Sequence, residues 1–149
     1  MDQIRNSIHK MYDETIDLYS QLDQIVKDFN GCQISFDYDI KTPPPLPVKH
    51  SLTAIVKESL ANVIRHSNAS KVVIVLRDHP AIYQLIIQDN GTIMDIQKKE
   101  LIAAIESKNY ESGMGLNNIV ERVKGFDGNI NFYFDDGFKI FITIPKNKE

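Results

Sequence analysis

The order in which the hydrophobic period changes along the chain constrains its fold more than any other feature. Cys32, Ile34, Phe36, Tyr38 and Ile40 alternate with polar residues, the period of a strand with one buried face. The run Lys41-Thr42-Pro43-Pro44-Pro45-Leu46-Pro47 is a stiff connector that neither helix nor inner strand accommodates. A helix is predicted from about Lys49 to Asn68, capped by Ser51 or the residue before it. Two β-rich runs follow, Val72 to Leu76 and Ile82 to Gln88, joined by a turn at Asp78-His79-Pro80. The stretch from Asn90 to Gly115 holds a short helix from about Ile96 to Glu106, and a further helix runs from about Leu116 to Phe126. Strands at Asn129 to Phe134 and Phe138 to Ile144 close the chain around the hairpin signal Asp135-Asp136-Gly137. This order predicts an α+β two-layer sandwich, a mixed and mostly antiparallel sheet with its helices on one face.

Residues 1–30 read as one long amphipathic helix. Ile4, Ile8, Met11, Thr15, Leu18, Leu22, Ile25 and Phe29 form a heptad-like seam, and Asn30-Gly31 supplies a stop. Such a seam docks on its own domain or pairs with another helix in a bundle or dimer, and its regularity favours the second. We therefore divide the chain into a helix, 1–30, and a domain, 31–149. Within 149 residues there are 17 Lys and Arg against 20 Asp and Glu, a net charge of −3. That balance gives no general attraction to nucleic acid or to an anionic membrane. A single cysteine, Cys32, excludes an internal disulfide. No apolar run approaches the roughly 20 residues that cross a bilayer, so a cytoplasmic domain is expected.

Three patches carry chemistry. Glu58, Asn62 and His66 stack along one helical face, opposite a core stripe of Leu52, Ile55, Val56, Leu60, Val63 and Ile64. An Asn carbonyl beside a carboxylate suits Mg²⁺, and Arg65 and His66 one turn on suit phosphate oxygens. Taken singly these residues also fit a solvated helix face. The second patch is Gln88-Asp89-Asn90-Gly91, where an apolar strand runs into a turn. An Asp there accepts a hydrogen bond from a base amino group, and the glycine lets a flat ligand approach. In the third, Ser112-Gly113-Met114-Gly115-Leu116, two glycines open onto a helix start and suit an anion. It is neither a Walker loop nor a dinucleotide fingerprint.

In combination, Glu-x-x-x-Asn, then Asp-x-Gly, then Gly-x-Gly-Leu resembles the GHKL, or Bergerat, ATP-binding fold of histidine kinases, Hsp90-type chaperones, type II topoisomerases and mismatch-repair ATPases. The stretch Glu58 to Ala69, Asp89 to Gly91, Gly113 to Leu116, Glu121 to Val123 and the closing Ile144-Pro145 most resemble sensor kinases of the nitrate-sensor and desaturase-thermosensor type. That resemblance implies ATP and Mg²⁺ as ligands. By it Asn62 ligates the metal, Glu58 orients the attacking group or a metal-bound water, and Arg65 and His66 lie near the phosphates. It also implies that Asp89 receives the adenine amino group beside Gly91, and that Gly113, Met114, Gly115 and Leu116 hold the nucleotide, the glycines wrapping its triphosphate. Residues 92–112 become a short lid, and the first helix becomes the second helix, or tail, of a dimerising bundle. A response regulator and the kinase's own phosphoacceptor domain are then the expected partners, and the parent protein is one that a membrane can anchor.

Three departures stand out: Ile93 where the family has a second glycine, Phe138 where a threonine commonly follows Gly137, and no helical His followed by an acidic residue. His9 is followed by Lys10, so the phosphoacceptor is expected upstream. Two other readings share the fold: a degenerate dimerisation module without nucleotide turnover, and a serine kinase of the anti-sigma-factor kind.

Overall fold

The computed structural model describes residues 17–92, 95–109, 115–134 and 136–146. The first half of the N-terminal seam, with His9, therefore lies outside the described residues, as do Ile93, Gly113 and Met114. Helix α1 spans Leu18–Asp28, strand β1 Gln33–Asp39, helix α2 Leu46–His66, strand β2 Lys71–Asp78 and strand β3 Ile82–Asp89. Helix α3 spans Asp95–Ser107, helix α4 Leu116–Lys124, strand β4 Asn129–Tyr133 and strand β5 Lys139–Pro145.

The five strands form one sheet in the order β1-β2-β3-β5-β4. β1 and β2 pair in parallel, with Ile34 opposite Val72, while every other pair is antiparallel. A parallel pair needs a crossover, and α2 is that crossover, which brings it onto the sheet. Period-two alternation then turns Val72, Ile74 and Leu76 of β2, Tyr83, Leu85 and Ile87 of β3, and Ile140, Ile142 and Ile144 of β5 into the core. They meet Leu52, Ile55, Val56, Leu60 and Val63 of α2, and Leu116, Ile119 and Val123 of α4. The α+β two-layer arrangement is as the sequence predicts.

Three boundaries differ from expectation. The helix expected to run through Asp17 begins only at Leu18 in the described residues, because Asp17 is extended and caps it, its carboxylate accepting from Ser20 N–H at 3.1 Å. Leu18 and Leu22 are buried in the chain's own core, with Ile25 and Phe29 packed against it, so this part of the seam docks at home. Tyr19 stacks on Phe36 of β1 at 5.8 Å. The second difference is that α2 begins at Leu46, inside the proline run. Pro47 falls in its first turn, where a helix has no use for the missing N–H, and Ser51 is not a cap but a buried interior residue. Finally, Ile64 is 57% exposed and leaves the predicted core stripe.

Asp78 at the end of β2 fixes where that proline connector runs. Its carboxylate accepts from Lys41 N–H at 3.0 Å and Thr42 N–H at 2.9 Å, and it pairs with Lys146 Nζ at 3.0 Å. Burial alone would raise the Asp78 pKa, but the two N–H groups and the Lys146 ammonium outweigh it and bring the pKa down to about 2 from an ordinary 3.8. A depressed carboxylate contributes stability that is present above its ordinary pKa and lost as pH falls through its folded one. Asp78→Ala is therefore expected to cost about 2–4 kcal/mol at pH 7, since it also strands Lys146. Urea titrations between pH 4 and 2 check the second consequence, a steeper loss of stability in the wild type than in the variant.

Candidate functional site

The site lies where the C-terminal half of α2 crosses the ends of β3 and β5. Ser59, Asn62, Val63, His66 and Ser67 from that helix and its cap face Ile87, Asp89, Phe138 and Ile140 across a cleft of about 350 Å³, its open mouth included. Helical spacing explains one wall, since positions i, i+3, i+4 and i+7 share a face. Strand spacing explains the other. The inward row Tyr83, Leu85, Ile87 ends in Asp89, so the same alternation that builds the core delivers a carboxylate to the cleft floor.

Asp89 is 6% exposed. Its Oδ1 accepts from Gly91 N–H at 2.8 Å and from the Ser67 hydroxyl at 3.4 Å. Burial pushes the Asp89 carboxyl above its ordinary range, opposed by the Gly91 and Phe138 backbone N–H groups and by Ser67. The turn after it is tied down. Asn90 Oδ1 accepts from Ser70 N–H at 2.9 Å and Lys71 N–H at 3.0 Å, and Thr92 N–H donates to Asn68 Oδ1 at 2.6 Å. Gly91 is required by close approach: a Cβ there would collide with the Ser67 hydroxyl and lie 2.6 Å from Ala69 N.

Asn62, 4% exposed, is not on a solvated face. Both polar atoms of its amide are buried without a hydrogen-bond partner, as is the Ser59 hydroxyl. A buried polar atom left unmatched is costly in a folded chain and calls for a partner, whether water, ion or ligand, to complete the bonding. Glu58 is half-buried on the neighbouring face of α2, and its carboxylate reaches the start of α4. Gly115 caps that helix with φ +67°, a left-handed conformation, and a Cβ there would collide with the Glu58 carboxylate. No side chain caps α4 by a hydrogen bond, and the Glu58 carboxylate lies beside its cap residue Gly115.

The structure thus brings Asn62, His66 and Asp89 into one cleft, sets Gly91 behind the carboxylate, and places Glu58 and Gly115 together. Arg65 is exposed and outside the cleft lining. The Leu116 side chain is fully buried in the core, so only its backbone can serve a ligand. Sequence reasoning missed Ser59, Ser67, Asn68 and Asn90. Ser59 had a legible signal, a polar residue set three positions from Asn62 and amid the apolar stripe. The other three act through loop contacts that no period encodes.

A metal fits this donor set only in one way. Among the described residues no three His, Cys, Asp or Glu side chains cluster to hold a cation. Asn62 offers a single unmatched carbonyl oxygen, which suits Mg²⁺ carried in by phosphates and holding its own waters.

Comparison with known proteins gives a consistent picture. A sequence profile described as histidine kinase-, DNA gyrase B-, and HSP90-like ATPase matches residues 48–148. The chain is 30% identical over 107 residues to the sensor protein VraS of Staphylococcus epidermidis, covering 70% of this chain and 28% of that protein. VraS of Staphylococcus aureus matches to the same extent. Among solved structures, the histidine kinase AdeS of Acinetobacter baumannii superposes with a TM-score of 0.64 at 20% identity, covering 89% of this chain and 66% of that one. The ATP-binding domain of PrrB from Mycobacterium tuberculosis gives 0.64 at 17% identity, covering 89% of this chain and 96% of that one. No helix among the described residues is long and apolar enough to cross a membrane.

Proposed function

Because the chain belongs to the histidine kinase-, DNA gyrase B- and HSP90-like ATPase family, we propose that its cleft binds Mg·ATP and presents the γ-phosphate to a histidine on a separate phosphoacceptor segment, for relay to a response regulator. The domain is of the ATP-binding catalytic kind found in two-component sensor kinases. It spans 28% of the length of the curated relatives it matches, so transfer, acceptor, regulator and dimerisation are our reading for the protein to which it contributes. The observation that carries the reading is the pairing, in one cleft, of a buried carboxylate with a buried amide that has no partner.

Asp89 Oδ2 accepts the adenine amino group at the cleft floor, with Gly91 admitting the ring. Asn62 Oδ1 ligates Mg²⁺, which when bound neutralises phosphate charge. We assign His66, and Arg65 beside it outside the cleft lining, to the phosphates, together with Gly115 and the Leu116 N–H at the head of α4; Gly113 and Met114, outside the described residues, join them in this reading by the Gly-x-Gly pattern of the sequence. Glu58 stands at that same helix start, where its carboxylate gives way to phosphate and turns to orient the attacking group. Positioning and charge neutralisation supply most of the acceleration in phosphoryl transfer. The seam positions before Asp17 are left for a bundle, since Leu18 and Leu22 are already in use.

Titration calorimetry with ADP and a non-hydrolysable ATP analogue, with and without Mg²⁺, tests the site. Binding strengthened by Mg²⁺ for the ATP analogue is expected. Incubation with labelled ATP and an added dimerisation domain carrying a phosphoacceptor His should yield acid-labile phosphate on that domain and none on this chain. Acid-stable phosphoserine on a partner would replace the histidine-kinase reading with a serine-kinase one, and a well-folded chain that binds no nucleotide would leave only an interaction module.

A further inference from the structure

The metal reading of Asn62 leaves a second anomaly on the same wall unexplained. Ser59 is 3% exposed, lines the cleft, and its hydroxyl has no hydrogen-bond partner. A hydroxyl inside a helix ordinarily turns back onto the carbonyl four residues earlier. Thr53 does so to Lys49 at 2.9 Å and Ser107 to Ala103 at 2.8 Å. Ser59 makes no such bond.

Apart from the Asn62 amide assigned to the metal, the polar groups across from it are already committed. The Ser67 hydroxyl donates to Asp89 and accepts from Ala69 N–H at 3.1 Å. Gly91 N–H is held by the same carboxylate. Phe138, 6% exposed on the facing wall, contributes an apolar ring. The cleft therefore presents the Asp89 carboxylate from the strand wall and, from the facing helix wall, the unmatched Ser59 hydroxyl beside the Asn62 amide, with Ile87, Phe138 and Ile140 as the apolar lining between them. Adenine carries the complementary edge, an amino donor flanked by ring nitrogens that accept. Guanine places a carbonyl oxygen where the amino group would be, opposite the carboxylate.

We infer that Ser59 is a base-reading residue: its hydroxyl donates to a ring nitrogen beside the amino group that Asp89 receives, directly or through one ordered water, and so helps select adenine. The role rests on the cleft's being the nucleotide site. It also accounts for one of the polar residues that α2 buries beside its apolar stripe, because a hydroxyl left unmatched in the free protein is satisfied by the ligand.

The test is calorimetry on the whole chain, wild type and Ser59→Ala, with ADP, 1-deaza-ADP, 7-deaza-ADP and GDP. Loss of one hydrogen bond should weaken ADP about tenfold in Ser59→Ala. The factor should be the same with and without Mg²⁺, which separates Ser59 from a metal ligand. Thermal stability of the free variant should be equal to the wild type or higher, since the hydroxyl bonds nothing in the fold. One deaza analogue should weaken wild-type binding by the same factor and leave the variant no weaker, a non-additive pair. Equal ADP affinity in wild type and Ser59→Ala, or losses from variant and analogue that simply add, would overturn the role of Ser59 alone. A wild-type chain that binds no ADP would overturn the nucleotide reading and this role with it.

Discussion

Replacing Asn62 with leucine is expected to stabilise the nucleotide-free protein while abolishing the Mg²⁺-dependent part of nucleotide binding. The amide is 4% exposed and neither of its polar atoms has a partner. Burying an unmatched polar group costs about 1–3 kcal/mol, whereas a leucine of similar volume beside Val63, Ile87, Phe138 and Ile140 gains burial instead. For a domain of this size that difference corresponds to a rise in Tm of about 2–8 °C. Ligand reverses the ranking. Saturating nucleotide with Mg²⁺ raises the wild-type Tm by mass action, and the variant lacks the carbonyl oxygen that holds the metal. Thermal melts of both proteins, each with and without ADP and Mg²⁺, contain the whole comparison. A lower Tm for free Asn62→Leu than for free wild type would mean that the asparagine serves the fold, and its assignment as a ligand-binding group would fall.

That trade of stability for function also explains which parts of this molecule the sequence disclosed. Strand β1 was legible from its period of two, and β2 and β3 from their β-rich runs; in the fold the inward row Tyr83, Leu85, Ile87 carries Asp89 to the cleft side. Helix ends were less legible, because caps compete locally. Asp17 reads as one more polar position of a long helix, yet its carboxylate bonds Ser20 N–H and caps the helix that begins at Leu18. The proline run reads as a helix barrier, yet proline is at home in a first turn, so α2 begins three residues earlier than its apolar stripe suggests. Asn62, His66 and Asp89, singled out by residue type and spacing, line one cleft. Whether Asn62 faced solvent or cleft was open until α2 was seen against the sheet, and Ile64, placed in the core stripe by spacing, is turned outward by the same docking. Ser67 and Asn90 were beyond reach because their bonds join segments 20 or more residues apart.

Asp89→Asn should reduce affinity for ADP by at least about 100-fold, although the substitution changes a single atom and keeps the side chain's shape. Gly91 N–H and the Ser67 hydroxyl both donate to Oδ1. Those donors will hold the amide oxygen in that place and force the NH₂ group to where Oδ2 now stands. A donor then opposes the donor amino group of adenine, so the loss exceeds that of one hydrogen bond. The fold should tolerate the change. Burial holds the Asp89 pKa above its ordinary 3.8 against the pull of Gly91, Phe138 and Ser67, so the ionised form is penalised in the folded chain. A raised carboxyl pKa contributes stability that is present below the ordinary value and lost as pH rises through the folded one. At pH 7 that contribution is absent in the wild type, and removing the charge should leave the variant at least as stable. The same shift gives wild-type binding a pH dependence of opposite sense: Asp89 accepts from the base only when ionised, so ADP affinity should fall as pH drops toward the raised pKa, from a level that is flat near neutrality. Calorimetry from pH 7.5 down to the edge of acid unfolding, on wild type and Asp89→Asn together, separates the two effects. A variant that binds ADP as tightly as the wild type would remove Asp89 from the base site, and a variant that unfolds would assign the carboxylate to the fold.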